Sequence, residues 1–243
     1  MLSFESLVKI IVLSKWKNNF KIDGLDKSKR CIIIGNGPSF KQSIETHRDL
    51  LIGNDTLCVN SFATSEYLEV LKPKYYVLHS KILFISRDEM PERYKKLQTS
   101  IFEALQRKVT WEIYLMVPFG AKKSIEFREL LAQNKKIIPL YFNITGLEGF
   151  DFFKHTLFTA KLGMPRPHNV LIPAIMNMIH LKYEEIHIIG ADHSWLEEIT
   201  VNEDNNALVH QKHFYDEDTS KSRKMMDYIK RPRMLHEIIH KFY

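Results

Sequence analysis

A chain of 243 residues, 44% hydrophobic and 26% charged, has enough apolar mass for one sizeable core, and the even spread of its apolar segments argues for one domain with appendages. No apolar run approaches the roughly 18–20 residues that a membrane span needs, and the two cysteines, Cys31 and Cys58, lack metal or disulfide spacing and fit reduced core positions in a cytoplasmic setting. The formal charge of +6 favours anionic partners such as nucleotides, acidic glycans or a lipid surface, while no nucleic-acid recognition motif is present.

Met1 to Phe20 places Leu7, Ile10, Ile11, Leu13 and Trp16 among Lys9, Lys15 and Lys17, which predicts an amphipathic helix over about residues 1–22. Its charges lie among and after the apolar residues, and no small-residue cleavage site follows, unlike a secretory signal. Such a helix can pack on its own domain or make a peripheral contact with an anionic membrane at the inner face. The remainder, 23–243, reads as the main domain.

Cys31-Ile32-Ile33-Ile34 is a buried strand running into Gly35-Asn36-Gly37-Pro38-Ser39. The two glycines open backbone angles closed to other residues, and Ser39 is placed to cap the next helix so that free N–H groups meet an anion. The loop is neither a Walker A sequence nor a full dinucleotide fingerprint. A tight structural turn and a phosphate cradle both fit it.

Phe40 to Leu51 has helical spacing, Thr56 to Asn60 reads as a strand, Phe62 to Leu71 as a helix stopped by Pro73, and Lys74 to Leu78 as a third strand ending at His79-Ser80. Pro91 to Arg107 predicts a helix, Trp111 to Val117 a strand, Lys122 to Asn134 a helix and Lys136 to Phe142 a strand. Residues 143–164, with Gly146, Gly149, Gly163 and several Phe, read as a partly helical lid over the sheet edge; Val170 to Leu181 is an apolar helix and Glu185 to Gly190 a sixth strand leading into Asp192-His193-Ser194. Alternation of this kind predicts a mostly parallel α/β sheet with helices on both faces. From Glu197 to Ser222 the chain is polar, with a second lid expected over 196–222, and Arg223 to Tyr243 reads as a last helix interrupted near Pro232. The chain ends inside or just after that helix, as a trimmed piece or a shorter relative would.

In an open parallel sheet, ligands sit beyond the carboxyl ends of the strands. The polar residues at those ends are Asn36, Gly37 and Ser39; Asn60 and Ser61; His79 and Ser80; and Asp192, His193 and Ser194. The first group suits phosphate or ribose, and Asn60 offers a donor and an acceptor to a sugar or base edge; turn capping explains any single member equally well. Arg166-Pro167-His168-Asn169 puts a cation and hydrogen-bonding side chains at the start of an apolar helix, where an anion is favoured. His210 and His213 stand three apart beside Tyr215. Either histidine can act as a general base near neutral pH, and Tyr215 can donate to a leaving phosphate. A metal site would need a third ligand from Asp192 or His193, and none is expected.

Taken together, G-N-G-P-S after the first strand, V-N-S-F after the second, the Y-E-E-I-H-I-I-G-A-D strand and the downstream His-Tyr segment resemble the family 42 bacterial sialyltransferases. The set is also similar to a broader group that includes 6-hydroxymethylpterin pyrophosphokinase relatives, which share the G-N-G-P-S turn. The resemblance runs from about Cys31 to Tyr215 and implies a single Rossmann-like domain, a variant of the glycosyltransferase-A arrangement, that passes sialic acid from CMP to a hydroxyl with inversion and without metal or other cofactor. It implies that Asn36, Gly37 and Ser39 meet the CMP phosphate and ribose, that Asn60 and Ser61 meet the nucleotide, and that Arg166, Asn169 and Asp192 contact the donor. His213 corresponds best to the family's base, with His210 second, and Tyr215 to a phosphate-binding tyrosine. Where the family has R-I-T-S-G this chain has Arg166-Pro167-His168-Asn169, so another CMP-linked acidic sugar of the Kdo type is admissible. The expected partners are a nucleotide sugar and a glycan or glycolipid acceptor in surface-polysaccharide synthesis, with a homo-oligomer left open. The pterin-type reading, pyrophosphoryl transfer from ATP, would require Mg²⁺ and acidic ligands, and a non-catalytic nucleotide-binding protein is the remaining alternative.

Overall fold

Cys31 through Ile34 are all buried, which a strand achieves only where both faces of its sheet are covered. The computed structural model describes residues 2–17, 20–192, 199–201, 203, 207–209 and 223–224. Among the described residues, the main sheet has six strands, β1 (Arg30–Ile34), β2 (Asp55–Val59), β3 (Tyr75–Val77), β4 (Ile113–Pro118), β5 (Ile137–Phe142) and β6 (Glu185–Ile189). They stand in the order β5-β4-β3-β2-β1-β6, and every neighbouring pair is parallel. This is the single α/β, Rossmann-like arrangement that the alternation predicts, with the chain reversing its direction of travel across the sheet between β1 and β6.

The helices are α1 (Leu2–Leu13), α2 (Ser39–Ile52), α3 (Tyr67–Leu71), α4 (Glu92–Lys108), α5 (Ile125–Gln133), α6 (Asp151–Thr159) and α7 (Leu171–His180). Because successive side chains on a strand point to opposite faces, Ile32 and Ile34 pack with Phe40, Ile44, Leu68, Phe102 and Phe127 of α2 to α5. Cys31 and Ile33 pack with Ala174, Met178 and Leu181 in and just after α7. Phe62 to Leu71, expected as one helix, divides into a 3₁₀ turn (Asn60–Thr64) and the five-residue α3. The segment 143–164 carries α6 and is tied to α1: Ser6 Oγ donates to the Glu148 carbonyl at 2.8 Å, and Lys15 N donates to Asn143 Oδ1 at 2.8 Å.

The tail departs from expectation. Ile199–Val201, read as loop, is a strand (β7), and Arg223–Lys224, read as the start of a helix, is another (β9); with β8 (Ala207–Val209) they make an antiparallel sheet in the order β7-β8-β9. Short strands of this kind are held by their partners, so a sequence window without strong periodicity does not reveal them. The rest of the expected helix over 223–243 and most of the second lid lie outside the described residues. No helix among the described residues is long and apolar enough to cross a membrane.

Candidate active site

The carboxyl edge of the sheet brings the ends of β1, β2, β3 and β6 side by side, so Asn36, Asn60, His79 and Asp192 share one rim as the sequence predicts. What holds the glycine loop differs from expectation. Neither Gly35 nor Gly37 has a positive φ. They are required for space: a Cβ on Gly35 would lie 2.2 Å from the Gly190 carbonyl oxygen, and one on Gly37 would lie 1.9 Å from Asp192 Oδ2. The two loops are in fact bonded, Gly35 N to Ile189 O and Gly37 N to Gly190 O, both at 2.8 Å.

This closure changes the role of three expected donor contacts. Ser39 is the first residue of α2 rather than its cap, Pro38 holds the cap position, and no side chain of the cap residue closes the helix end. Instead the Asp192 carboxylate lies 3.3 Å from Ser39 N and occupies the helix end where an anion would otherwise sit. A phosphate placed there would face like charge from Asp192. At this end of α2 the Asp192 carboxylate therefore stands where the sequence reading expects Gly37 and Ser39 to meet a phosphate.

Asn36 and Asn60 have a different character. Asn36 Nδ2 donates to the Val59 carbonyl at 3.3 Å, joining the ends of β1 and β2. Asn60 is held at φ 49, a conformation that Asn tolerates better than most residues, by the Tyr76 hydroxyl, which donates to its carbonyl at 2.5 Å and accepts from Ala63 N at 2.6 Å. Both side-chain oxygens, Asn36 Oδ1 and Asn60 Oδ1, are buried without a hydrogen-bond partner. Unpaired buried acceptors are costly. The group they are suited to receive is a donor, an O–H or an amino N–H, and not a phosphate oxygen. Ser61 is half-buried beside them.

Asn169 and Arg166 are also committed. Asn169 Oδ1 accepts from Leu171 N at 3.0 Å and Ile172 N at 3.3 Å and so caps α7 in the ordinary way. Arg166 pairs with Glu148 at 2.6 Å, and His79 Nε2 donates to the Pro167 carbonyl at 2.9 Å, fixing the 166–169 loop to the end of β3. Beyond the ends of β3, β4 and β5 lies a cavity of about 530 Å³, whose lining includes Lys9, Lys81, Phe84, Phe119, Asn143 and Arg166. Asn36, Asn60 and Asp192 are not part of its wall. Among the described residues that the sequence predicts for the site, this cavity receives Arg166 alone. Lys81 could have been found by extending the strand-end rule two residues past His79; Lys9, brought in by α1, has no such signal.

The expected catalytic residues His213, His210 and Tyr215 lie outside the described residues, as do His193 and Ser194. Among described residues the thiols of Cys31 and Cys58 are buried and free, and burial pushes both well above the ordinary thiol value, which makes them inert core groups.

Two half-buried histidines make stability depend on pH. Burial lowers the His79 pKa below 6.5, with the bond to Pro167 opposing and Lys81 assisting. Burial likewise lowers that of His180, whose Nε2 donates to the Phe158 carbonyl at 2.9 Å, with Lys161 assisting. Both values are depressed in the folded chain, so the unfolded chain takes up protons first as pH falls. Their contribution is complete above about 6.5 and is lost through the window below it. Chemical denaturation at pH 7.5, 6.5 and 5.5 should give falling stability, and the H79Q/H180Q double variant a flatter profile; stability that rises on acidification would contradict this.

Comparison with known proteins gives little more. No protein-family model matches the chain, and no curated protein matches it. A solved structure to which it is similar is the MAf glycosyltransferase from Magnetospirillum magneticum AMB-1, at 11% identity and a TM-score of 0.46 over 88% of this chain. The match covers 33% of that protein's chain.

Proposed function

We propose that this chain is a glycosyltransferase domain that binds a nucleotide-activated sugar, most simply a CMP-linked acidic sugar of the sialic acid or Kdo type, and transfers the sugar to a glycan hydroxyl. The observation that carries the reading is the pair of buried, unpartnered acceptors, Asn36 Oδ1 and Asn60 Oδ1, at the carboxyl edge of an all-parallel sheet, where nucleotides are commonly held. Ribose hydroxyls or a base amino group supply the donors that these oxygens lack. The phosphate then belongs away from Asp192, toward the cleft that carries Lys81 and Arg166. Arg166 retains guanidinium N–H groups beyond the one engaged by Glu148.

In this scheme the acceptor hydroxyl oxygen attacks the anomeric carbon, and the bond from that carbon to the phosphate oxygen breaks. The nucleotide leaves with the electron pair, and His213 takes the hydroxyl proton. Lysine and arginine, with Tyr215 as a further donor, bear the charge that grows on the leaving phosphate. Attack from the face opposite the leaving group inverts the anomeric centre.

A thermal-shift series with CMP, CDP, UDP, GDP and ATP, each with and without Mg²⁺, tests the binding claim. CMP should raise the midpoint without Mg²⁺, by an amount equivalent to about 2.7 kcal/mol at a hundred times Kd. Asn36→Ala, and Asn60→Gly, which keeps the left-handed backbone accessible, should each weaken CMP binding about five- to tenfold, the scale of one hydrogen bond. A shift confined to ATP with Mg²⁺ would replace the proposal with the pyrophosphokinase reading, and no shift with any nucleotide would remove it.

A further inference from the structure

Helix α1 is built inside out. Its inward positions are mostly small and polar: Ser3 Oγ accepts from Phe150 N at 3.1 Å, Ser6 Oγ engages both the carbonyl and the N–H of Glu148, and Ser14, just past the helix, lies 2.6 Å from the Leu162 carbonyl. Ile10 is the one large apolar residue of the helix buried on that side, packed with Leu147 and Leu162. The outward positions are apolar: Phe4 is 70% exposed, Ile11 61% and Val12 73%, with Val8 and Trp16 also exposed. A helix on a water-facing surface carries the opposite pattern, and contiguous exposed apolar area of this kind marks an interaction face. Phe150 and Phe152, exposed as well, extend it where Ser3 meets the start of α6.

Charge selects the occupant. Lys15 and Lys17 are exposed just past the apolar stripe, and Lys9 lies on its flank. Glu5 is the sole acidic residue of the helix, and the whole chain carries a formal +6. A second copy would bring like charge to the same contact, whereas an anionic bilayer complements it, with the apolar stripe entering the headgroup boundary and Trp16 at its margin. We propose that the outer face of α1, with Phe150 and Phe152, docks on an anionic lipid surface. Lys9 and Leu13 of the same helix also line the cavity beyond β3 to β5. If that cavity serves the transferase proposed above, docking presents it to the bilayer, and the acceptor is a lipid-linked glycan. The docking itself does not depend on that reading.

Co-sedimentation with phosphatidylcholine vesicles, with and without about 30 mol % phosphatidylglycerol, tests the proposal. The protein should pellet with the anionic vesicles and be released by salt. The Val8→Asp/Val12→Asp double variant should partition at least about tenfold less, with an unchanged melting temperature, because both side chains are exposed, and with an unchanged CMP response. W16F identifies the Trp16 contribution to any fluorescence blue shift on binding. Wild-type protein that stays in the supernatant with both vesicle types, or a double variant that binds as well as wild type, overturns the proposal. A dimer in sedimentation velocity that the double variant abolishes, without vesicle binding, would reassign the face to a second copy. Failure to bind CMP with vesicle binding intact would remove the transferase reading alone.

Discussion

Asp55→Ala should destabilise the protein by about 3 kcal/mol and lower its melting temperature by roughly 6–12 °C for a chain of this size. Asp55 begins β2 at the amino edge of the sheet, opposite the candidate site. Its carboxylate accepts from Ser28 N at 3.0 Å, from the Tyr183 hydroxyl at 2.5 Å and from Lys74 Nζ at 3.1 Å. Lys74 Nζ also reaches the Asp26 carbonyl, and the Tyr183 hydroxyl lies 2.8 Å from that of Tyr75. One carboxylate therefore ties together the loop before β1, the starts of β2 and β3, and the turn after α7.

The tyrosines in this network remain protonated donors. Burial pushes the Tyr183 phenol far above its ordinary value, and its bonds to Asp55 and Tyr75 reinforce the shift. Alanine at position 55 leaves an ammonium with only 24% of its side chain exposed without its counter-charge, and a phenol without its charged acceptor. Breaking a buried pair by removing one partner costs more than the pair contributes net, because the remaining group stays desolvated. Asp55→Asn, which keeps one acceptor oxygen, should lose less than Asp55→Ala. A loss under about 1 kcal/mol in urea denaturation of the alanine variant would mean that water replaces the carboxylate and that the network is not a structural anchor.

His213→Ala should reduce kcat by about a hundredfold or more with a CMP-sugar donor, the contribution of a positioned general base. The nucleotide phosphate is already a good leaving group, so acceptor deprotonation and positioning are the terms left for the protein to supply. The donor KM and the thermal shift with CMP should change little, because in the proposed reaction the base acts on the acceptor and not on the nucleotide. In the wild type, kcat should rise with pH as the imidazole loses its proton, and this limb should vanish in the variant. His210→Ala distinguishes the two histidines of the segment: if it reproduces the full loss while His213→Ala does not, the base is His210. Near wild-type turnover in both variants would exclude the histidine mechanism, whatever the nucleotide binding shows.

The fold class was legible in the sequence because its cause is local. Apolar runs such as Cys31 to Ile34 and Ile113 to Val117, separated by helix-length segments, have few ways to bury both faces of their strands other than a covered parallel sheet. Strand-end polar residues such as Asn36 and Asn60 were legible for the same reason, since topology alone puts the ends of parallel strands on one edge. Tertiary structure decided what each of those residues does there. That Gly35 and Gly37 supply space rather than unusual backbone angles depends on β6 lying against β1, a neighbour about 150 residues away in the chain. That Asp192 fills the end of α2, that Glu148 takes Arg166, and that α1 turns its serines inward and Phe4, Val8, Ile11 and Val12 outward all follow from contacts between distant segments. Local sequence sets which groups are available; which partner neutralises, caps or uncovers each of them is fixed only when the chain closes on itself.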